Sequence, residues 1–419
     1  MVIKEELLKL ATEAESALKE RFDSFDRTSF VNTKKVLEAF AEERVSEALF
    51  AGSSGYGYDD RGRDVLDRIY AKVFNKEAAL VRHTLISGTH TLSTGLFGLL
   101  RPNDVMLSVT GKPYDTLDEV IGIKDDGQNN GSLKDFGIIY KQIELTEDGK
   151  IDIEKTVEIL KTEKIKMVYL QRSKGYLDRP TLPVAEIDEL YKAVKSVSDA
   201  YVFVDNCYGE FVEDKEPDAD VIAGSLIKNP GGGMAETGGY LAGSAKAIEL
   251  ISYRLTSVGI GSEAGCTLNT LKSMYKGFFY APHTVAQALK TAAFAAYIFE
   301  KMGYKTEPKW NDNRCDIIQA IHMMTGDKLC AFCGGIQAGS PVDAFVTPEP
   351  WDMPGYSDAV IMAAGTFTQG ASIELSADGP MKPPFIAFFQ GGLTYESGKL
   401  GILSAASKVF EIDANTDKM

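Results

Sequence analysis

The sequence predicts an α/β protein: a large domain with a mostly parallel seven-stranded sheet, then a smaller C-terminal α+β domain. Three observations carry this prediction. Seven short apolar runs recur between about residues 78 and 243. Several are nearly continuous and β-branched, as in strands covered on both faces. Helical stretches separate the runs, and such alternation implies crossover connections and parallel pairing.

Residues 4–50 read as two amphipathic helices. Leu7, Leu8, Ala11, Ala14 and Leu18 recur at helical spacing, as do Val36, Ala39, Phe40, Val45 and Leu49. The small and aromatic residues of Ala51–Tyr58 then break the period and predict a loop. The strand candidates are Ala78–Ile86, Asp104–Val109, Gly137–Ile143, Lys166–Gln171, Tyr201–Asp205, Val221–Ile227 and Gly239–Ala242. A long helix over Thr284–Met302 links to the second domain. Strands are predicted there at Ala344–Val346, Ala359–Ala363, Ser372–Leu375 and Phe385–Phe389. The expected organisation is a helical arm (1–50), a large domain (51–283), and a linking helix with the small domain (284–419).

Composition narrows the function. The 419 residues carry 45 Lys+Arg against 60 Asp+Glu, a net charge of −15 that argues against nucleic acid as the main partner. Neither a membrane span nor an export signal is expected, since Met1–Lys9 lacks an apolar core and Lys290 and Glu300 interrupt the long helix. Five scattered cysteines suit a reducing cytoplasm.

Four constellations carry chemistry. The strand Tyr201-Val-Phe-Val-Asp205 ends in a carboxylate, and ligands in open α/β sheets sit beyond the C-terminal strand ends. A carboxylate there can hold a proton on a heteroaromatic nitrogen; the plain alternative is a cap on the next turn. The next run, Val221–Ile227, includes Ser225 and is followed by Lys228 and a glycine-rich turn. Desolvation lowers a lysine pKa and makes the amine nucleophilic, as imine chemistry requires; the alternative is a surface lysine. Ser87-Gly88-Thr89-His90 joins a strand to a helix start, where backbone N–H groups bind phosphate and a glycine lets the anion approach. Ser and Thr are also ordinary helix caps. Finally, Tyr56-Gly-Tyr58-Asp-Asp-Arg61 offers hydroxyls and a guanidinium suited to phosphate, unless the arginine pairs with its own loop carboxylates.

A phosphate cradle, an aspartate for a ring nitrogen and a lysine for an aldehyde together match the needs of pyridoxal 5′-phosphate. On these residues the chain resembles the fold-type I pyridoxal phosphate enzymes of the cystathionine γ-synthase/methionine γ-lyase group. The run from Gly52 to Ala79 and the stretches Ile361-Met-Ala-Ala-Gly-Thr-Phe and Ile373-Glu-Leu-Ser-Ala-Asp-Gly-Pro resemble its aluminium-resistance branch. The resemblance implies that Lys228 carries the cofactor aldehyde and that Asp205 pairs with the ring nitrogen. Ser87, Gly88, Thr89 and Ser225 would hold the phosphate. Tyr58 and Arg61 match a Tyr-x-Arg element that reaches a neighbouring subunit's phosphate, with one extra residue between them here. The active site would then be shared within a homo-oligomer, a dimer or tetramer. Tyr114 is assigned as the tyrosine that stacks on the cofactor.

The group's arginine for the substrate carboxylate is replaced by Glu374, and Arg172 is the first candidate to take its place. Cys330 and Cys333 form a lone C-x-x-C expected to pack in the core, and no metal site is expected. His90 is a candidate cofactor contact, and Gly231–Gly233 are expected to give backbone room near the lysine. The resemblance implies a carbon–sulfur lyase acting on a sulfur amino acid, of cystathionine or methionine type, by β- or γ-elimination. Lys228 would be the base and Tyr114 the proton donor to the thiolate. Two alternatives remain: an aldolase or aminotransferase on the same cofactor, and a non-catalytic regulatory or metal-tolerance protein, which Glu374 favours.

Overall fold

The computed structural model describes residues 3–124, 127, 129–354 and 356–416. Met1 and Val2 of the expected arm, and the last three residues of the expected C-terminal domain, lie outside them. Two helices, Glu5–Ala17 and Lys19–Glu42, follow the predicted periodicity and bury Leu7, Ala11, Ala14, Val36 and Ala39.

All seven predicted runs form one sheet. Its strands are β1 (Ala78–Arg82), β2 (Val105–Ser108), β3 (Ile139–Gln142), β4 (Met167–Gln171), β5 (Tyr201–Asp205), β6 (Val221–Ser225) and β7 (Gly239–Gly243), in the order β1-β7-β6-β5-β4-β2-β3. The pairs from β3 across to β6 are parallel, and β7 runs antiparallel between β6 and β1. β4, β6 and β7 are buried along their whole length, which explains their continuous apolar character. Parallel pairing aligns the C-terminal ends of β4, β5 and β6 on one sheet edge, with Gln171 opposite Asp205 and Asp205 opposite Ala223.

The long helix runs from Leu271 to Lys301, so the expected boundary at 283/284 falls inside it. Pro282 lies within it, although a proline removes a helical hydrogen bond. Burial overrides that cost: residues from Leu271 to Phe299, Pro282 included, pack against the rest of the protein.

The C-terminal region adds an antiparallel sheet of β8 (Thr306–Glu307), β9 (Gln319–His322), β10 (Val360–Ala363), β11 (Ser376–Pro380) and β12 (Ile386–Gln390), in the order β10-β11-β12-β9-β8. Two predicted strands are absent from it. Ala344–Val346 lies in a loop with Phe345 89% exposed, so no sheet face required its apolar residues. Ser372–Leu375 is a turn: Glu374 accepts hydrogen bonds from the backbone N–H groups of Phe367 (2.7 Å) and Thr368 (2.9 Å), and the strand begins only at Ser376. Among the described residues, no helix is long and apolar enough to cross a membrane.

Candidate active site

A cleft of about 240 Å³ opens where the C-terminal ends of β4, β5 and β6 meet the antiparallel sheet. It collects Ser87, Gly88, Thr89, Tyr114, Asp205, Ser225 and Lys228, seven of the residues singled out in the sequence.

Asp205 ends β5 with its side chain buried, and its Oδ1 accepts the Cys207 N–H at 3.1 Å. Burial pushes its pKa up, opposed by the Lys228 charge. Lys228 follows β6 and sets its Nζ 4.0 Å from the centroid of the Tyr208 ring. Its pKa is raised, which corrects the expectation of a depressed value. Burial disfavours the ammonium, but Cys207, Tyr208 and Asp205 outweigh it. Tyr208 holds this place at φ +72°, a left-handed conformation uncommon for a non-glycine residue, and Ser372 Oγ donates to its hydroxyl at 3.2 Å.

Ser87 caps the helix Gly88–Leu99, its Oγ accepting the His90 N–H at 3.1 Å. The first N–H groups of that helix therefore face the same space as Lys228. A Cβ on Gly88 would stand 3.5 Å from Cys207 Sγ and 3.7 Å from Lys228 Nζ. The absence of a side chain there leaves room between the helix N-terminus and the lysine for a phosphate and its ring. The Thr89 and Thr116 hydroxyls lie 2.7 Å apart, and Ser225 Oγ accepts the Ile227 N–H at 3.3 Å. Helix N–H groups, the Thr89 and Ser225 hydroxyls, a buried carboxylate and an amine fit pyridoxal phosphate in their chemistry.

Across the cleft stand aromatic residues that the sequence reading missed. The Tyr114 hydroxyl lies 2.6 Å from that of Tyr356, and Tyr176 packs on Phe388 at 5.1 Å between centroids. Burial and the surrounding acidic groups hold the Tyr114 phenol well above its ordinary pKa, so it stays protonated. Asp378, Gln390 and Ser376 of the C-terminal sheet also line the cleft and were equally missed. Only the Ser-Ala-Asp-Gly-Pro stretch, quoted for its resemblance, hinted at Asp378.

Arg172 does not reach the cleft. Its guanidinium is fully buried and binds Glu213 (2.8 Å), Glu216 (3.4 Å) and Asn206 Oδ1 (3.0 Å), so it is a structural ion-pair residue and not a free cation for substrate. Tyr58, 55% exposed and stacked on Tyr56, and the exposed Arg61 lie outside the cleft of their own chain. His90 also turns away, accepting the Ile86 N–H on Nδ1. Gly231 and Gly232 serve packing and not the lysine: added Cβ atoms would meet Leu226 O at 1.7 Å and Gly277 O at 2.3 Å. Cys333 is buried with its Sγ 3.7 Å from Ala377 O, and no metal-ligand cluster occurs among the described residues.

Known proteins share this architecture. The family described as Methionine gamma-lyase matches residues 7–410. A Bacillus subtilis protein called YnbB is 53% identical over 409 residues, covering 97% of each chain. The crystal structure of a carbon-sulfur lyase involved in aluminum resistance from Clostridium novyi NT is 52% identical, with a TM-score of 0.93 over 97% of this chain and 96% of that one. A cystathionine gamma synthase from Xanthomonas oryzae pv. oryzae, at 12% identity and a TM-score of 0.56 over 83% of this chain and 86% of its own, shares the fold.

Proposed function

We propose that this chain, which belongs to the methionine γ-lyase family, is a pyridoxal-phosphate-dependent carbon–sulfur lyase that cleaves a sulfur amino acid by β- or γ-elimination to a keto acid, ammonia and a thiol. The observation that carries this reading is the convergence of Lys228, Asp205 and the Gly88 helix N-terminus on one cleft.

Bound cofactor would supply an electron sink for the pair left when the substrate's Cα–H bond breaks. Asp205, buried at the end of β5, would hold a proton on the ring nitrogen. Gly88 and Thr89 offer backbone N–H groups to the phosphate, Ser225 its hydroxyl, and Ser87 fixes the turn. Tyr58 and Arg61 of a neighbouring subunit complete the phosphate site, which makes the active species a homo-oligomer. Lys228 would hold the cofactor's aldehyde, and its Nζ would serve as the base for the substrate's Cα proton. Tyr114, kept protonated by its surroundings, gives its proton to the departing sulfur and regains one through the Tyr356 hydroxyl at 2.6 Å. Tyr176 and Tyr356 form an aromatic wall of the cleft beside these groups, with Tyr176 backed by Phe388.

The non-catalytic alternative drew its support from Glu374. That carboxylate is turned onto the Phe367 and Thr368 backbone and is not among the groups lining the cleft, so it places no like charge against a substrate. Incubating the pyridoxal-phosphate-loaded protein with cystathionine, methionine and cysteine, while following keto acid and thiol, tests the proposal. An aldehyde product, or amino transfer to an added keto acid, would replace it.

A further inference from the structure

A separate cavity of about 560 Å³ lies along the helix Gly88–Leu99 and shares no lining residue with the active cleft. Gly88, Thr89 and Leu92 of that helix line the cleft, whereas His90 and Ser93 line this cavity. Arg82, the last residue of β1, and Thr84 form another wall. Arg254, in the last turn of the helix Ala245–Leu255, stands at its side.

No aspartate or glutamate is among the described residues that line this cavity, in a chain whose net charge is −15. Its two guanidinium groups are incompletely paired. Arg82 is 4% exposed, and its Nη1 donates to both carboxylate oxygens of Asp67 at 2.7 and 2.8 Å. Its Nε and Nη2 are buried with no hydrogen-bond partner among the described residues. Buried donors left unpaired are costly, and a ligand in the adjoining cavity would bring the acceptors they lack. Arg254 makes no ion pair among the described residues and rests over the Phe97 ring, 5.0 Å from its centroid. His90 accepts the Ile86 N–H on Nδ1 at 3.3 Å, so the neutral ring carries its proton on Nε2 as a donor. The hydroxyls of Thr84 and Ser93 add to the set. Asp67 offsets one of the two arginine charges, and the surplus of cation and donors suits an oxyanion with several acceptor oxygens.

We propose that this cavity is an anion site that binds a phosphate group, either free or carried as the monoester of a small molecule. The inference does not rest on the lyase reading.

The test is calorimetric titration of the protein in its native assembly, loaded with pyridoxal phosphate and dialysed free of excess, so that the cleft's own phosphate place is filled. The probes are inorganic phosphate and glycerol 3-phosphate, with sodium chloride at equal ionic strength as the blank. One-to-one binding with a dissociation constant below about 1 mM is expected. Arg254→Gln should weaken it about tenfold or more, the worth of one charge-assisted hydrogen bond. Lys246→Gln removes the same charge from an exposed residue of the same helix outside the cavity, and should leave binding unchanged. Tighter binding of glycerol 3-phosphate assigns the site to a phosphate monoester, and equal or weaker binding assigns it to free phosphate. Heat no greater than the chloride blank, as when a second copy of the chain covers the cavity, would overturn the inference. So would wild-type affinity in Arg254→Gln, or a loss shared equally by the two variants. Arg254 is exposed, so its substitution spares the core, and circular dichroism of the variant checks that it folds.

Discussion

The hydroxyls of Tyr114 and Tyr356 lie 2.6 Å apart, closing the cleft between two segments separated by 242 positions in the chain. Tyr114 follows the sheet strand β2, and Tyr356 precedes β10 of the antiparallel sheet. A phenol held protonated in this way acts as an acid. Tyr114→Phe should lower kcat about 100-fold, the scale of a positioned general acid, with a smaller change in KM. Tyr356→Phe keeps the acid and removes its relay, so its kcat should fall less than about tenfold. Steady-state kinetics with a poor and a good thiol leaving group checks this: the Tyr114→Phe defect should shrink with the better leaving group.

Arg172 predicts a stability effect without a catalytic one. Removing it takes the guanidinium partner from Glu216, which is 8% exposed, and from Glu213. Arg172→Met should cost about 3–5 kcal/mol in urea denaturation, as expected for breaking a buried pair. KM for the folded fraction should stay unchanged; a selective rise in KM would restore Arg172 to the substrate site.

Asp378 predicts a pH-dependent cost in stability. Burial pushes its pKa from the ordinary carboxylate range up to about 6. The folded protein therefore favours the neutral acid, and ionisation weakens it as pH rises from about 4 to about 6. Asp378→Asn escapes that penalty. It should match wild type below pH 4 and exceed it above pH 6 by on the order of 2–3 kcal/mol, measured by denaturant titration across pH. A variant less stable than wild type at pH 8 would contradict the unpaired charge.

Tyr58 and Arg61 predict a site shared between subunits. Arg61→Ala and Lys228→Ala proteins should each show low activity alone. Unfolded together and refolded, they should regain part of it, because mixed dimers contain one site with the lysine of one chain and the arginine of the other. Activity that stays at the level of the separate variants would confine Arg61 to its own subunit or remove it from the site.

Much of this architecture was legible in the chain itself. Apolar runs that must be covered on both faces mark β4, β5, β6 and β7. Parallel strands place their C-terminal residues on a common edge, so Asp205 and Lys228 could be paired across 23 positions before any coordinates. The Gly88 turn was readable because a helix N-terminus after a strand has a local signature.

Tertiary packing decided the rest, for reasons local sequence does not contain. Arg172 and Glu374 are charged residues next to site segments, and only the fold shows that Glu213, Glu216 and two backbone amides consume them. Tyr356, Asp378 and Gln390 enter the cleft from an antiparallel sheet assembled far along the chain, where strand alternation alone does not tell a core-facing residue from a cleft-facing one. Strand order and local chemistry determine where a lysine and an aspartate meet. Which charges remain unpaired around them depends on long-range neighbours, and that balance exists only once the two sheets close on each other.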